Sequence, residues 1–180
     1  MLNRSAYVRV ALAAVVGVLA LTRPIGAQAP TLKGDLLQDW AAMKDTMMKI
    51  ADAMPADRYG FRATPAERSY AEQILHVADG NRIGMGLLGT SVKAPTIDMK
   101  ATAKPEVLKA LADSYDFGAA VIRALSDEQL LQPVRTLPFL GMSTRARTVV
   151  FELGHAWDIY GQMAVYLRLN GIVPPASQRP

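Results

Sequence analysis

Four long stretches of this chain place apolar residues at steps of three and four, and none alternates for long in the two-residue period of a strand. A 3.6-residue period commits each stretch to a helix with one buried stripe, and four such helices must bury their stripes against one another. In the first, from about Leu32 to Met54, the stripe is Leu36, Leu37, Trp40, Met43, Met47, Ile50 and Met54, and Pro55 ends it. The second starts near Ser69, which stands at capping-box spacing from Glu72, and buries Ala71, Ile74, Leu75, Ala78, Met85 and Leu88. The third runs from about Thr102 to Leu125. Its Pro105 falls in the first turn, where the missing amide had no partner to lose, and its inner face is Val107, Leu108, Leu111, Tyr115, Ala119 and Ile122. Ser126 and Gln129 cap a short extra helix, and residues 133–141 read as loop. The fourth long helix runs from about Ser143 to Asn170, stopped by Gly171 with Pro174 and Pro175 behind it. The expected fold class is all-α, a four-helix bundle with helices about 20° from antiparallel.

Residues 1–27 read differently. Arg4 and Arg9 precede an apolar run from Val10 to Leu21, too short to span a bilayer and the right length for the core of a secretory signal. Small residues follow at Gly26, Ala27 and Ala29, and cleavage is expected after Ala27. The expectation is an exported protein, periplasmic or extracellular, with one domain over residues 28–180 and no membrane association once the leader is gone. The chain's net charge is +4; Arg4, Arg9 and Arg23 lie in the leader, which has no acid, so the domain stands at +1. A near-neutral domain without a basic run gives no electrostatic footing for nucleic acid. With no cysteine there is no disulfide, thiolate ligand or cysteine nucleophile, and stability must come from the core.

The candidate chemistry centres on the only two histidines, His76 in the second helix and His155 in the fourth. Glu72 and Asp79 flank His76 at i−4 and i+3; Glu152 and Asp158 flank His155 at i−3 and i+3. Each carboxylate could orient an imidazole through its second nitrogen or serve as an oxygen ligand, while the ordinary fate of such an acid is a solvated helix surface. There is no Gly-x-Ser-x-Gly elbow, glycine-rich phosphate loop or His-Glu-x-x-His run. Gly80, Gly84, Gly86 and Gly89 each cost a helix roughly 1 kcal/mol relative to alanine, so they mark close helix approach or room left for something else.

The segment Arg68-Ser69-Tyr70-Ala71-Glu72, running into His76-Val77-Ala78-Asp79-Gly80-Asn81, resembles the second helix of DinB-like proteins. So does His155-Ala156-Trp157-Asp158-Ile159-Tyr160-Gly161-Gln162, followed by the closing segment from Tyr166 to Ser177. The likeness extends in helix order and loop size over essentially the whole mature chain. It implies an up-down-down-up bundle, often a homodimer, and a divalent metal held by three histidines. One comes from helix two, and two come from helix four at i and i+4. The first two map to His76 and His155; the third maps to Ile159, which has no donor. The family also contains thiol-dependent transferases and isomerases, an activity not carried over to an exported chain.

Without the third imidazole a firm site needs a carboxylate, and Asp158 and Asp79 are the candidates. Asp158 lies about 60° around the helix from His155, and Ile159 about 40°. Two histidines and one carboxylate suit iron, manganese or nickel at least as well as zinc. Three expectations follow. The first is a helical bundle with a degenerate, metal-free site, binding or structural rather than catalytic. The second is a divalent-metal-dependent hydrolase or transferase using His76, His155 and a nearby carboxylate, with the ion activating water or polarising substrate. The third is a binder of a small apolar or aromatic molecule, with Gly80, Gly84 and Gly86 leaving the room. Whether the chain is an enzyme stays open at this level.

Overall fold

Each long periodic stretch becomes a helix in the computed structural model, which describes residues 29–178. The expected signal peptide, residues 1–27, lies outside the described residues. The helices are α1 (Leu32–Ala53), α2 (Tyr70–Gly86), α3 (Lys104–Arg123), a short α4 (Asp127–Leu131) and α5 (Arg145–Leu169). Side-chain caps set the starts of α1, α2, α4 and α5, while α3 has no side-chain cap and carries Pro105 in its first turn. Thr31 accepts from the Gly34 amide and Thr144 from the Arg147 amide, while Ser69–Glu72 and Ser126–Gln129 form complete capping boxes. Gly171, at φ 72°, turns the chain out of α5 in the left-handed region where a side chain is disfavoured.

The bundle is formed by α1, α2, α3 and α5. α1 packs on α3 and α5, and α2 packs on the same two, so α1 and α2 stand diagonally opposite although they are consecutive in the chain. The connection between them is pinned from inside. The Tyr59 hydroxyl donates to the Ala51 carbonyl (2.8 Å), the Tyr70 hydroxyl donates to the Ile50 carbonyl (2.5 Å), and the Ala71 amide donates to the Tyr59 carbonyl. This diagonal step puts α5 beside α2, the two helices that carry the histidines.

The core draws Trp40, Met43, Met47 and Ile50 from α1, Ile74, Leu75 and Met85 from α2, Leu111, Tyr115 and Ile122 from α3, and Val149, Met163 and Leu167 from α5. Trp40 shows how tightly α1 and α3 meet. Its indole N–H donates to the Tyr115 carbonyl at 2.8 Å, and its ring lies where a Cβ at Gly118 would stand 2.2 Å away.

One segment departs from the sequence reading. Across the expected loop and the expected first residues of the fourth long helix, β1 (Pro133–Arg135) pairs antiparallel with β2 (Met142–Thr144), with Val134 opposite Ser143. Three residues per strand are too few for alternation to register, and the turn is closed by Gly141 at φ 63° and by two bonds from Thr136 to its carbonyl. Ser143 is therefore strand, Thr144 is the cap, and α5 begins at Arg145. Arg145 fastens this corner: its Nε donates to the Leu88 carbonyl at 2.8 Å and its Nη1 to the Gln129 carbonyl at 3.3 Å. Among the described residues no helix is long and apolar enough to cross a membrane.

Candidate functional site

His76, Gly80 and Ile83 follow one another up one face of α2, at the four- and three-residue steps that share a face. Phe151, Glu152 and His155 occupy the facing stretch of α5. The geometry brings the two histidines together: Nε2 of His155 and Nε2 of His76 are 3.0 Å apart, with ring centroids 4.8 Å apart and planes at 89°. At that distance one nitrogen carries the hydrogen and the other accepts it. The pair lies at the edge of a cavity of about 320 Å3 whose other walls are Gly80, Ile83, Leu137, Phe139, Phe151 and Glu152. Leu137 and Phe139 come from the hairpin turn, and Phe139 is 70% exposed at the rim, its ring 5.2 Å from that of Phe151. The Phe151 ring lies parallel to the His155 ring, 6.5 Å away.

Burial holds both imidazoles below the usual histidine range. At His76 the positive Arg68 and the neighbouring His155 push the same way and outweigh Asp79; at His155 Asp158 opposes burial and Arg68 adds to it. Both rings are therefore neutral at pH 7.

Glu152, three residues before His155, is 1% exposed, and neither carboxyl oxygen has a hydrogen-bond partner. Its Oε2 is 3.9 Å from Nδ1 of His155, on the side of the ring away from Nε2. Burial pushes its pKa up to about 7. Two glycines of α2 make room for it. A Cβ at position 84 would stand 2.0 Å from Glu152 Oε1, and one at position 80 would stand 3.3 Å from His155 Nδ1 and 3.4 Å from Glu152 Oε2. The space expected for a ligand at Gly80 and Gly84 is thus taken by the chain's own Glu152 and His155, and Gly86 faces nothing within 4 Å.

The two candidate aspartates are engaged elsewhere. Asp79 takes Nε and Nη2 of Arg82 at 2.9 and 2.6 Å, and exposed Asp158 accepts from Gln162 Nε2 at 3.1 Å. Neither lines the cavity. The reason is helical: each stands three residues past its histidine, with a cation or amide one turn further on to hold it. Glu72 serves its capping box and Arg62. Ile159 is 2% exposed and packed in the core. Glu152 was one acid among four in the sequence. The signal that separates it is its place on the buried row Val149, Glu152, Ala156, Ile159, Met163, where it alone is charged.

Two nitrogens held by one ion through bonds of about 2.0–2.1 Å stand roughly 3 Å apart, and the His76–His155 pair meets that spacing. The third protein donor that a catalytic zinc takes is not met: among the described residues, no group of three His, Cys, Asp or Glu could hold a metal ion. The donor set fits a two-nitrogen site and not a three-donor centre.

The family model of the DinB superfamily matches residues 39–163. Among curated proteins none matches. Solved structures do. A DinB-like protein from Bacillus cereus ATCC 10987 has a TM-score of 0.69 at 15% identity, covering 78% of this chain and 93% of that one. YjoA, a DinB-like protein from Bacillus subtilis, has a TM-score of 0.62 at 16% identity, covering 81% and 99%. YfiT from Bacillus subtilis, described as a probable metal-dependent hydrolase with an unusual four-helix bundle topology, has a TM-score of 0.62 at 14% identity, covering 83% and 97%. Identities this low speak for the shared fold alone; the matched family model covers well over half of the chain, which therefore belongs to the DinB superfamily.

Proposed function

We propose that this chain is an exported DinB-like binding protein. It holds a small, largely apolar molecule in the cavity between α2 and α5, with the His76–His155 pair as polar anchor. The observation that carries this reading is the cavity's make-up: Ile83, Leu137, Phe139 and Phe151 surround one hydrogen-bonding pair. Small-molecule sites have that character, apolar walls with a few convergent polar groups, and about 320 Å3 lies at the small end of their range. Ile159, apolar and buried one turn after His155, supports binding without a firmly held ion. Support for export is the apolar run from Val10 to Leu21 behind Arg4 and Arg9. The test is elemental analysis of the untagged, dialysed protein together with a thermal-shift screen of small aromatic and aliphatic compounds. Metal well below one ion per chain, with stabilisation by an apolar compound that is lost in His76→Ala, is expected. Near-stoichiometric metal would overturn the reading.

A second reading is favoured by the 3.0 Å approach of the two Nε2 atoms and by the description of YfiT: a divalent-metal-dependent hydrolase or transferase. His76 and His155 would hold the ion (zinc, nickel, iron or manganese), and Glu152 is the buried acid beside them. When bound, the ion supplies Lewis acidity or activates water. This reading requires His76→Ala to lower metal content.

We also propose that a second copy of the chain packs on the outer face of α5. Val150, Gly154, Trp157, Gly161 and Val165 form an exposed row there, with Trp157 54% exposed. Neither glycine has anything within 4 Å of an added Cβ, so the packing of one chain does not call for them.

A further inference from the structure

Among the described residues Glu152 is the one buried acid, and both of its oxygens lack a partner. A buried polar group without a hydrogen bond is costly, and more so when charged. Yet the fold has gone to some length to keep it. α2 has glycine at 80 and 84, the two positions whose side chains would press on the carboxyl, and the closest would-be contact is 2.0 Å from Oε1. The carboxyl lies 3.9 Å from Nδ1 of His155, about 1 Å beyond a hydrogen bond. Oε2 has no competing bond to hold it back.

We propose that Glu152 is a positioning residue that accepts the Nδ1–H of His155 and so fixes that ring in its Nδ1–H form, with the Nε2 lone pair turned toward His76 and the cavity. The consequence runs along the pair. If His155 Nε2 is the acceptor, the hydrogen in the 3.0 Å contact belongs to His76, which is then the Nε2–H form. A molecule or ion arriving from the cavity meets a His155 nitrogen made more basic by the carboxylate behind it, as when an acid orients a liganding imidazole through its other nitrogen. Glu152 is part of the cavity wall but only 1% exposed, and the role assigned to it runs through His155. Gly84 and Gly80 are then the space that lets an acid stand at this depth.

This inference rests on the cavity being the binding site, yet its test needs neither ligand nor metal. The chain has two histidines, so histidine labelled with 15N in untagged protein gives four ring nitrogens to read. Long-range 1H–15N correlation at pH 8.5 reports which nitrogen of each ring is protonated, and His76→Gln assigns the signals. The expected result is His155 as Nδ1–H in the wild type and in Glu152→Gln, whose amide oxygen still accepts. In Glu152→Leu the Nδ1–H population should fall toward the Nε2–H form that isolated imidazole prefers. A wild-type His155 in the Nε2–H form would overturn the proposal even if the leucine variant failed to fold. So would a leucine variant with wild-type ring populations. A cavity that binds nothing would strike the proposed function and leave the ring assignment standing.

Discussion

Glu152 and the two histidines respond to pH in opposite senses, and the signs follow from burial. The folded-state pKa of Glu152, about 7, lies above its ordinary value of 4.5, so between those limits the folded chain keeps a proton that the unfolded chain has lost. Its contribution therefore penalises folding increasingly as pH rises from about 4.5 to 7, and by a constant amount above that. The histidines are depressed below 6.5, so stability falls as pH drops from 6.5 toward their lowered values. Glu152→Gln should leave stability near wild type at pH 4 and raise it by roughly 1–3 kcal/mol at pH 8, measured by urea unfolding at both. An equal change at both values would show that ionisation of Glu152 costs the fold nothing. At position 159, Ile159→His should lower metal-free stability by about 1–3 kcal/mol and create zinc or nickel affinity readable by calorimetry. No gain would mean that position 159 aims past the histidine pair. The meeting of His76 and His155 was an expectation of the family resemblance, which maps both to one site, and not of the apolar stripe of either helix. The role of Glu152 was not legible in the sequence, because four flanking acids looked alike until burial separated them.

At the scale of elements, the helices, two capping boxes and the stop at Gly171 could all be read directly, since a 3.6-residue period, a Ser-x-x-Glu or Ser-x-x-Gln pair and a helix-ending glycine are local chemistry. The hairpin at Pro133–Arg135 and Met142–Thr144 could not, since its pairing is set by Gly141 and by the Arg145 tie to Leu88 rather than by its own short strands. The glycines of α2 were visible as anomalies but not as a cradle. Gly84→Ala tests that cradle. Alanine favours a helix by about 1 kcal/mol, yet its Cβ would collide with Glu152 Oε1, so the substitution should destabilise by roughly 1–3 kcal/mol. In a Glu152→Ala background the collision is gone and the same change should stabilise. The double-mutant cycle, read by denaturant unfolding, should show coupling of about 1–3 kcal/mol; additive effects would mean the carboxyl swings clear at no cost.

For the whole molecule, the second copy proposed above would set the exposed row of α5 against the same row across a two-fold axis. Sedimentation velocity should find a dimer that Trp157→Glu returns to monomer, and a monomer at every concentration would end that proposal. The sequence by itself determined the bundle: helical period, caps and a cysteine-free core dictate four packed helices, and the resemblance carried by the His76 and His155 segments named the family that the matched model then showed. It also determined that a third histidine is missing, because Ile159 is a matter of residue identity. Only the tertiary structure decided which groups share the pocket. The diagonal placement of α1 and α2 sets α5 against α2, and that contact alone brings two imidazoles to 3.0 Å and closes Glu152 off from water. Local spacing fixes which face a side chain takes on its own helix; what stands opposite depends on which helices become neighbours, and no period in the chain encodes that.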